Sequence, residues 1–283
     1  MKTRNKGAML ILAMAGSLLT SCGGGKAEDK IRIGLECAYA PFNWSTKQQS
    51  DTTLPIANHP GTYADGYDIQ IAKRIEKETG KKVEIVQTQW ESLITDLQMN
   101  SIDVIIAGMT DTAERRKQIA FTSEYYRSEL VLIVTASSAP EGDEPLDATE
   151  FGAFINGKNV VSQVATVTND VIDVFASDYG AKHVNPVATF ALAAQDIVNG
   201  SAFAMTAELP VARSIVSQFD NLEIVHIDQA ILGETQAELG VSIGVRKTDT
   251  GLMNKLNEVL AKISTEERVS IMEGAVSRSA GVE

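Results

Sequence analysis

Gly108-Met109-Thr110-Asp111-Thr112-Ala113-Glu114-Arg115-Arg116 is the stretch of this 283-residue chain with the plainest chemical content. It follows the apolar run Val104 to Ala107 and carries residues that start helices, Asp111 and Thr112, with Glu114 at capping-box spacing from Asp111. A helix start offers free backbone N–H groups and positive potential to an anion. Thr110 adds a hydroxyl, and the Arg115 guanidinium, one turn in, has the forked geometry that grips a carboxylate. That chemistry is capture of a carboxylate; taken alone, the stretch also fits a capped surface helix with solvated arginines. Other motifs exclude more than they offer. Gly240-Val241-Ser242-Ile243-Gly244 matches GxSxG, yet a nucleophile elbow needs a sharp turn at the serine. Here apolar residues run on through Val245, so Ser242 is expected inside a strand, without a catalytic role. His59, His183 and His226 lack metal-ligand spacing. No GxxxxGK[ST] phosphate loop is present. A net charge of −12 disfavours nucleic acid, which needs clustered Lys and Arg.

These residues need a scaffold, and the chain has the material for one, with 44% hydrophobic and 22% charged residues. The length fits about two domains. Ile31 to Leu35 reads as a strand. Phe42 to Tyr63 holds Pro55, Pro60 and Gly61, lacks periodicity, and reads as a long loop. Tyr67 to Glu78 places Ile71, Ala72 and Ile75 on one helical face and is stopped by Gly80. Val83 to Val86 is a strand; Trp90, Leu93, Ile94 and Leu97 form an amphipathic stripe. Val104 to Ala107 and Leu130 to Thr135 are strands. The first hundred residues therefore read β-α-β-α-β, a parallel sheet with helices on both faces. After a Pro/Gly/acid turn at Ala139 to Pro145 the pattern repeats. A strand at Val160-Val161 is followed by a helix carrying Val167, Val171, Val174 and Phe175. A strand at His183 to Val187, a helix at Phe190 to Val198 and a strand at Ala202 to Met205 complete it. Two α/β units in tandem read as two lobes. A final strand and helix, Val241 to Val245 and Leu252 to Ile263, return to the first. In such sheets ligands sit at the carboxyl ends of strands.

The N-terminus speaks to location. Lys2, Arg4 and Lys6 precede an apolar run, Ala8 to Leu19, too short to span a bilayer and of signal-peptide length. Leu19-Thr20-Ser21-Cys22 resembles the bacterial lipoprotein box, which implies cleavage before Cys22 and lipidation of its thiol. Residues 1–21 are expected as signal peptide and 22–30, Gly-rich and polar, as a flexible tether. Cys37 is then the only other cysteine, expected as a buried free thiol. Asn43-Trp44-Ser45 fits a glycosylation site, which the bacterial reading sets aside.

Further segments carry a family resemblance: Glu36-Cys37-Ala38-Tyr39-Ala40-Pro41-Phe42-Asn43-Trp44, Gly66-Tyr67-Asp68, Trp90 and Ile119-Ala120-Phe121-Thr122 in the first lobe. Gly157-Lys158, Gln163, Ala165-Thr166 and Ala207-Glu208-Leu209-Pro210-Val211-Ala212 follow in the second, and Ile243-Gly244-Val245-Arg246-Lys247-Thr248-Asp249 in the tail. With the Gly108 stretch, their order and spacing resemble the solute-binding proteins of bacterial amino-acid ABC transporters, the polar amino-acid family. The resemblance implies the type II periplasmic-binding-protein clamp: two lobes, each a mostly parallel sheet flanked by helices, joined by two hinge crossings. Lobe 1 is expected over 31–132 plus 228–283 and lobe 2 over 133–227, with crossings near Glu129 to Val134 and Ile224 to Asp228. By the resemblance Arg115, Thr110, the Gly108 backbone and Thr166 hold a ligand carboxylate, and Tyr39 and Trp90 sandwich its side chain. Glu36 matches an acidic position that pairs with cationic side chains, which favours Lys, Arg or ornithine by charge complementarity. Where the family carries an Asp for the α-ammonium, this chain has Ala207 with Glu208 beside it, so Glu208, or backbone and water, takes that role. Asp111 is expected as a helix cap.

The expected function is therefore a lipid-anchored, monomeric receptor outside the cytoplasmic membrane. It captures an amino acid and delivers it to an ABC permease driven by a separate ATPase, with no cofactor, metal or nucleic acid. Two rivals share the fold: an enzyme like cyclohexadienyl dehydratase, with Glu36 or Glu208 as general acid, and a sensor domain serving a signalling partner.

Overall fold

The computed structural model describes residues 30–280. The expected signal peptide, the lipidation site Cys22 and the tether up to Asp29 lie outside the described residues. The chain opens with β1 (Lys30–Leu35), β2 (Ala38–Tyr39), β3 (Asn43–Thr46), β4 (Leu54–Pro55) and β5 (Tyr63–Asp65). There follow α1 (Tyr67–Thr79), β6 (Lys82–Gln87), a 3-10 turn at Trp90–Ser92, α2 (Leu93–Gln98), β7 (Val104–Ile105), α3 (Ala113–Arg116) and β8 (Ala120–Arg127). The second unit runs through β9 (Leu130–Thr135), α4 (Ala148–Ile155), β10 (Asn159–Val161), α5 (Val167–Tyr179) and β11 (Lys182–His183). It continues with α6 (Phe190–Val198), β12 (Ala204–Glu208), α7 (Leu209–Val216), β13 (Leu222–Val225) and a kinked 3-10 segment, Gln229–Glu238. The chain then returns through β14 (Gly240–Val245), α8 (Thr250–Leu260) and α9 (Thr265–Ser279).

Each lobe is built on a five-stranded sheet, ordered β6-β1-β7-β14-β8 in the first and β11-β10-β12-β9-β13 in the second. In both, four strands run the same way and one, β14 or β9, opposes its two neighbours, so each sheet is mostly parallel, as expected, with one reversed strand. The reason is topological: the strands entering and leaving a lobe connect to the other lobe, not through a helix back to their neighbour. β8, whose sequence AFTSEYYR has no apolar periodicity, is one of these. The segment expected as one long loop contains three short strands, which join β2 in an antiparallel sheet, β2-β3-β5-β4.

In β9 the side chains alternate between two cores, as strand geometry requires. Val131 and Ile133 join the core under α6 and α7; Leu130, Leu132 and Val134 join the one under α4 and α5. The chain crosses between sheets at Ser128-Glu129 and again between β13 and β14. Leu130, Leu132, Ile231, Leu232 and Leu239 pack in the second lobe's own core, so residues 130–132 and 228–239, expected in lobe 1, associate with lobe 2. The sequence pattern missed this because the 3-10 segment carries no regular apolar stripe. Helix α9, also absent from the sequence reading, packs against α1 in lobe 1 and α7 in lobe 2. Behind the hinge, the buried hydroxyls of Ser214 and Ser279 lie 2.8 Å apart.

Candidate functional site

The sheets point the carboxyl ends of their parallel strands at one another. Glu36 follows β1, Tyr39 is in β2, Trp90 follows β6 and the Gly108 loop follows β7. From the other side come Gln163 and Thr166 after β10, Phe190 at the start of α6 and Glu208 at the end of β12. These residues, with Thr110, Arg115 and Val167, line a narrow gap between the lobes, a cavity of about 10 Å³. All eight residues expected to bind ligand are thus brought together. Two aromatic and polar neighbours, Phe190 and Gln163, join them. Phe190 was legible only as the first apolar residue of a helix capped by Thr189; Gln163 stood among the resemblances without a role.

The loop from Gly108 to Asp111 is fastened to the strand that returns from the hinge. The Ser242 amide donates to the Met109 carbonyl at 2.9 Å, and Thr110 bridges to Val241. Gly108 has φ 61°, and a Cβ there would lie 2.6 Å from Cε1 of Tyr39, so only glycine fits beneath that ring. Thr112, not Asp111, caps α3: its hydroxyl accepts the Arg115 amide at 3.2 Å. Asp111 instead pairs with Arg116, at 2.6 and 2.8 Å. The helix is a single turn, so carboxylate capture at this loop rests on the Arg115 side chain more than on a helix terminus. Arg115 Nη1 donates to the Thr110 carbonyl at 2.8 Å and to its hydroxyl at 2.5 Å, and Nη2 donates to the Ala165 carbonyl at 2.9 Å. Its guanidinium also lies over Trp90, 5.3 Å from the ring centroid.

The lobes are closed on one another. Trp90 Nε1 donates to the Ala165 carbonyl at 3.0 Å, so that one carbonyl receives two donors from the opposite lobe. Ala165 holds φ 58°, the left-handed region. Gln163 Nε2 donates to Glu36 at 3.1 Å, and the Tyr39 ring stacks on Phe190 at 5.1 Å. Tyr39 also faces the Glu208 carboxylate across the cavity. Thr166 donates to the Gln163 carbonyl at 2.7 Å and accepts the Asn169 amide at 3.1 Å, capping α5 at the cleft wall.

Electrostatics distinguish the two ends. Glu36 is buried, and desolvation pushes its carboxyl up to about 7 against the pull of the Gln163 hydrogen bond. Glu208 is buried too and raised by the same cause, and its Oε2 has no hydrogen-bond partner. The cleft thus sets two desolvated carboxylates against one guanidinium.

Ser242, as expected, lies inside a strand, fully buried in β14. Asn43 of the Asn-X-Ser pattern is fully buried and bonded through both side-chain atoms. No group of three or more His, Cys, Asp or Glu among the described residues is arranged to hold a metal, and no described helix is long and apolar enough to cross a membrane.

Comparison with known proteins agrees with this architecture. A family model described as bacterial extracellular solute-binding proteins, family 3, matches residues 31–273. The arginine-binding extracellular protein ArtP of Bacillus subtilis is 25% identical over 260 residues, covering 90% of this chain and 91% of that one. An amino acid ABC transporter substrate-binding protein from Streptococcus pneumoniae bound to L-arginine superposes with a TM-score of 0.72, at 20% identity, over 91% of this chain and 98% of that one. An ancestral arginine-binding protein bound to arginine superposes with a TM-score of 0.67 at 27% identity, over 87% and 97%. With a match that spans nearly all the described residues, the chain belongs to the bacterial extracellular solute-binding proteins, family 3.

Proposed function

We propose that this protein captures a basic amino acid between its lobes and delivers it to an ABC permease, anchored outside the cytoplasmic membrane by lipid on Cys22. The observation that carries the reading is the charge inventory of the cleft: Glu36, Glu208 and Arg115, all lining one small cavity. A basic amino acid carries two cations and one carboxylate, the complement of that set. Arg115 and Thr110 take the α-carboxylate, with Thr166 on the facing wall. Glu208 offers its unpartnered oxygen to the α-ammonium, in place of the carboxylate that Ala207 lacks. Glu36, steadied by Gln163, takes the side-chain cation. Tyr39, Trp90 and Phe190 cover the aliphatic stem. The name of the ArtP relative and the ligand of the S. pneumoniae structure agree with arginine.

A ligand shifts an open–closed balance only if it binds one state better. Arg115 sits on lobe 1 and Glu208 on lobe 2, so a ligand touching both favours the closed state. The test is a thermal-shift and calorimetric series with arginine, lysine, ornithine, citrulline, glutamine and glutamate. A ligand at about 1,000 times its Kd adds about 4 kcal/mol of stability, which for roughly 250 residues raises Tm by about 8–16 °C. Shifts with the basic amino acids and none with glutamate are expected. A shift with glutamate alone, or with none of the six, overturns the reading.

A further inference from the structure

Outside the cleft, one buried carboxylate is bonded in an unusual way. Asp68, the second residue of α1, is fully buried among apolar and aromatic side chains, and no cation neutralises it in its hydrogen-bond shell. Its Oδ2 accepts Nδ2 of Asn43 at 2.8 Å, while Oδ1 of Asn43 accepts the Cys37 amide at 2.9 Å. Its Oδ1 accepts the Tyr125 hydroxyl at 2.7 Å, and that hydroxyl accepts the Gly108 amide at 2.9 Å. Asn43 and Tyr125 are themselves fully buried. Cys37 adjoins Glu36, and Gly108 stands two residues before Thr110. Both residues turn in the left-handed region, φ 57° and 61°, where the chain leaves the neighbouring parallel strands β1 and β7.

We propose that Asp68 is a positioning residue for the binding cleft: its carboxylate ties the Glu36 loop to the Thr110 loop through Asn43 and Tyr125, and so sets the spacing between the cation-binding and carboxylate-binding ends. The proposal rests on the basic amino-acid reading of the cleft.

The hydrogen polarity of the network leaves no alternative residue. Each branch begins at a backbone N–H, which can only donate. Asn43 must then accept with Oδ1 and donate with Nδ2. The Tyr125 hydroxyl, accepting from Gly108, must send its own proton onward. Both branches end at a group that has to accept twice and donate nowhere, which among side chains of this size is an ionised carboxylate. Asparagine at 68 presents an NH₂ to one branch. Facing Nδ2 of Asn43 it sets donor against donor, and flipping Asn43 only moves that clash to the Cys37 amide. Facing Tyr125, it takes away the acceptor that the hydroxyl proton needs. Either way one left-handed turn loses its anchor while the side-chain volume is unchanged.

The test compares the whole protein with Asp68→Asn, Asn43→Ala and Tyr125→Phe. Two readouts are used: affinities for arginine and for citrulline, its neutral isostere, and amide hydrogen exchange at Cys37 and Gly108. Tyr125→Phe is expected to speed exchange at Gly108 only and to weaken both ligands alike, by tenfold or more. Asn43→Ala is expected to speed exchange at Cys37 only and to weaken arginine more than citrulline. Asp68→Asn is expected to speed exchange at one or both turns, weaken arginine at least thirtyfold and narrow the arginine-to-citrulline ratio. A purely structural role lowers Tm and leaves the ratio and the branch-specific exchange unchanged. The proposal is overturned if Asp68→Asn keeps arginine affinity within threefold, or if neither amide exchanges faster. Should Asp68→Asn fail to fold, the two single-branch variants decide, and an identical ligand pattern from both refutes the linkage. If the unaltered protein binds neither ligand, the reading of the cleft has failed; exchange at the two amides still decides whether Asp68 anchors the turns.

Discussion

Glu36→Gln isolates the charge that selects the ligand, because the amide keeps the shape and its oxygen still accepts from Gln163. A carboxylate facing a ligand cation at about 4 Å, in an effective dielectric near 20, contributes about 4 kcal/mol of attraction. Glu36 is already desolvated in the closed protein, so most of that attraction appears in binding. A net loss of about 2–4 kcal/mol is expected, about 30- to 1,000-fold in arginine affinity, with citrulline nearly unaffected. Stability should move the other way. The folded carboxyl is pushed up to about 7 from an ordinary 4.5, so folded protein holds its proton more tightly than unfolded chain. Stability of the unaltered protein therefore falls as pH rises from 4.5 through 7. Removing the desolvated charge should raise stability at pH 8 by about 1–3 kcal/mol. Arginine binding runs opposite: it needs Glu36 ionised, so affinity weakens about tenfold per pH unit below 7. The variant should flatten that slope, leaving the parts due to Asp68, which burial likewise pushes up to about 7, and to Glu208, raised by the same cause. Calorimetric titration at pH 5, 6, 7 and 8, with thermal melts of the free protein, reads both arms. An arginine loss under threefold, or a fall in Tm at pH 8, refutes the assignment.

Three further substitutions probe separate pieces. Arg115→Ala should cost about 3–5 kcal/mol of binding for arginine and citrulline alike, the penalty for stranding a buried charge partner; equilibrium dialysis showing near-normal affinity would discard Arg115 as the carboxylate anchor. Gly108→Ala forces a Cβ to within 2.6 Å of Tyr39 at φ 61° and should destabilise by about 1–3 kcal/mol, read as a lower urea midpoint. Ala165→Gly relieves a left-handed alanine and should stabilise the free protein by about 1 kcal/mol; a drop in Tm would show that the conformation is not strained.

The sequence exposed what repeats or alternates. The helices over Tyr67–Thr79, Val167–Tyr179 and Phe190–Val198 lie where their apolar spacing placed them. The residues expected around the ligand meet because they lie at strand ends or in the turns just beyond them. What stayed hidden had no periodic signal to give. β4 and β5 are two and three residues long, below the length at which alternation can be seen. Only Met272, Ala275 and Ser279 of α9 are buried, too thin a stripe to read. Asp111 and Thr112 both carry cap chemistry, and the local pairing of Asp111 with Arg116, five residues on, leaves the cap to Thr112 rather than to the expected Asp111. Phe190 looked like core because its partner, Tyr39, is 151 residues away in the other lobe.

Helix α9 belongs to the first lobe yet rests on α7 of the second, with the Ser214 and Ser279 hydroxyls facing each other in the seam. Any pivot of the lobes therefore slides one helix over the other at the rear of the molecule. Val269, exposed on α9 beside Arg213 and Pro210 of α7, stands at the edge of that seam. A fluorophore attached there reports the angle between the lobes without touching the cleft, so the last helix offers a ready optical gauge of solute concentration.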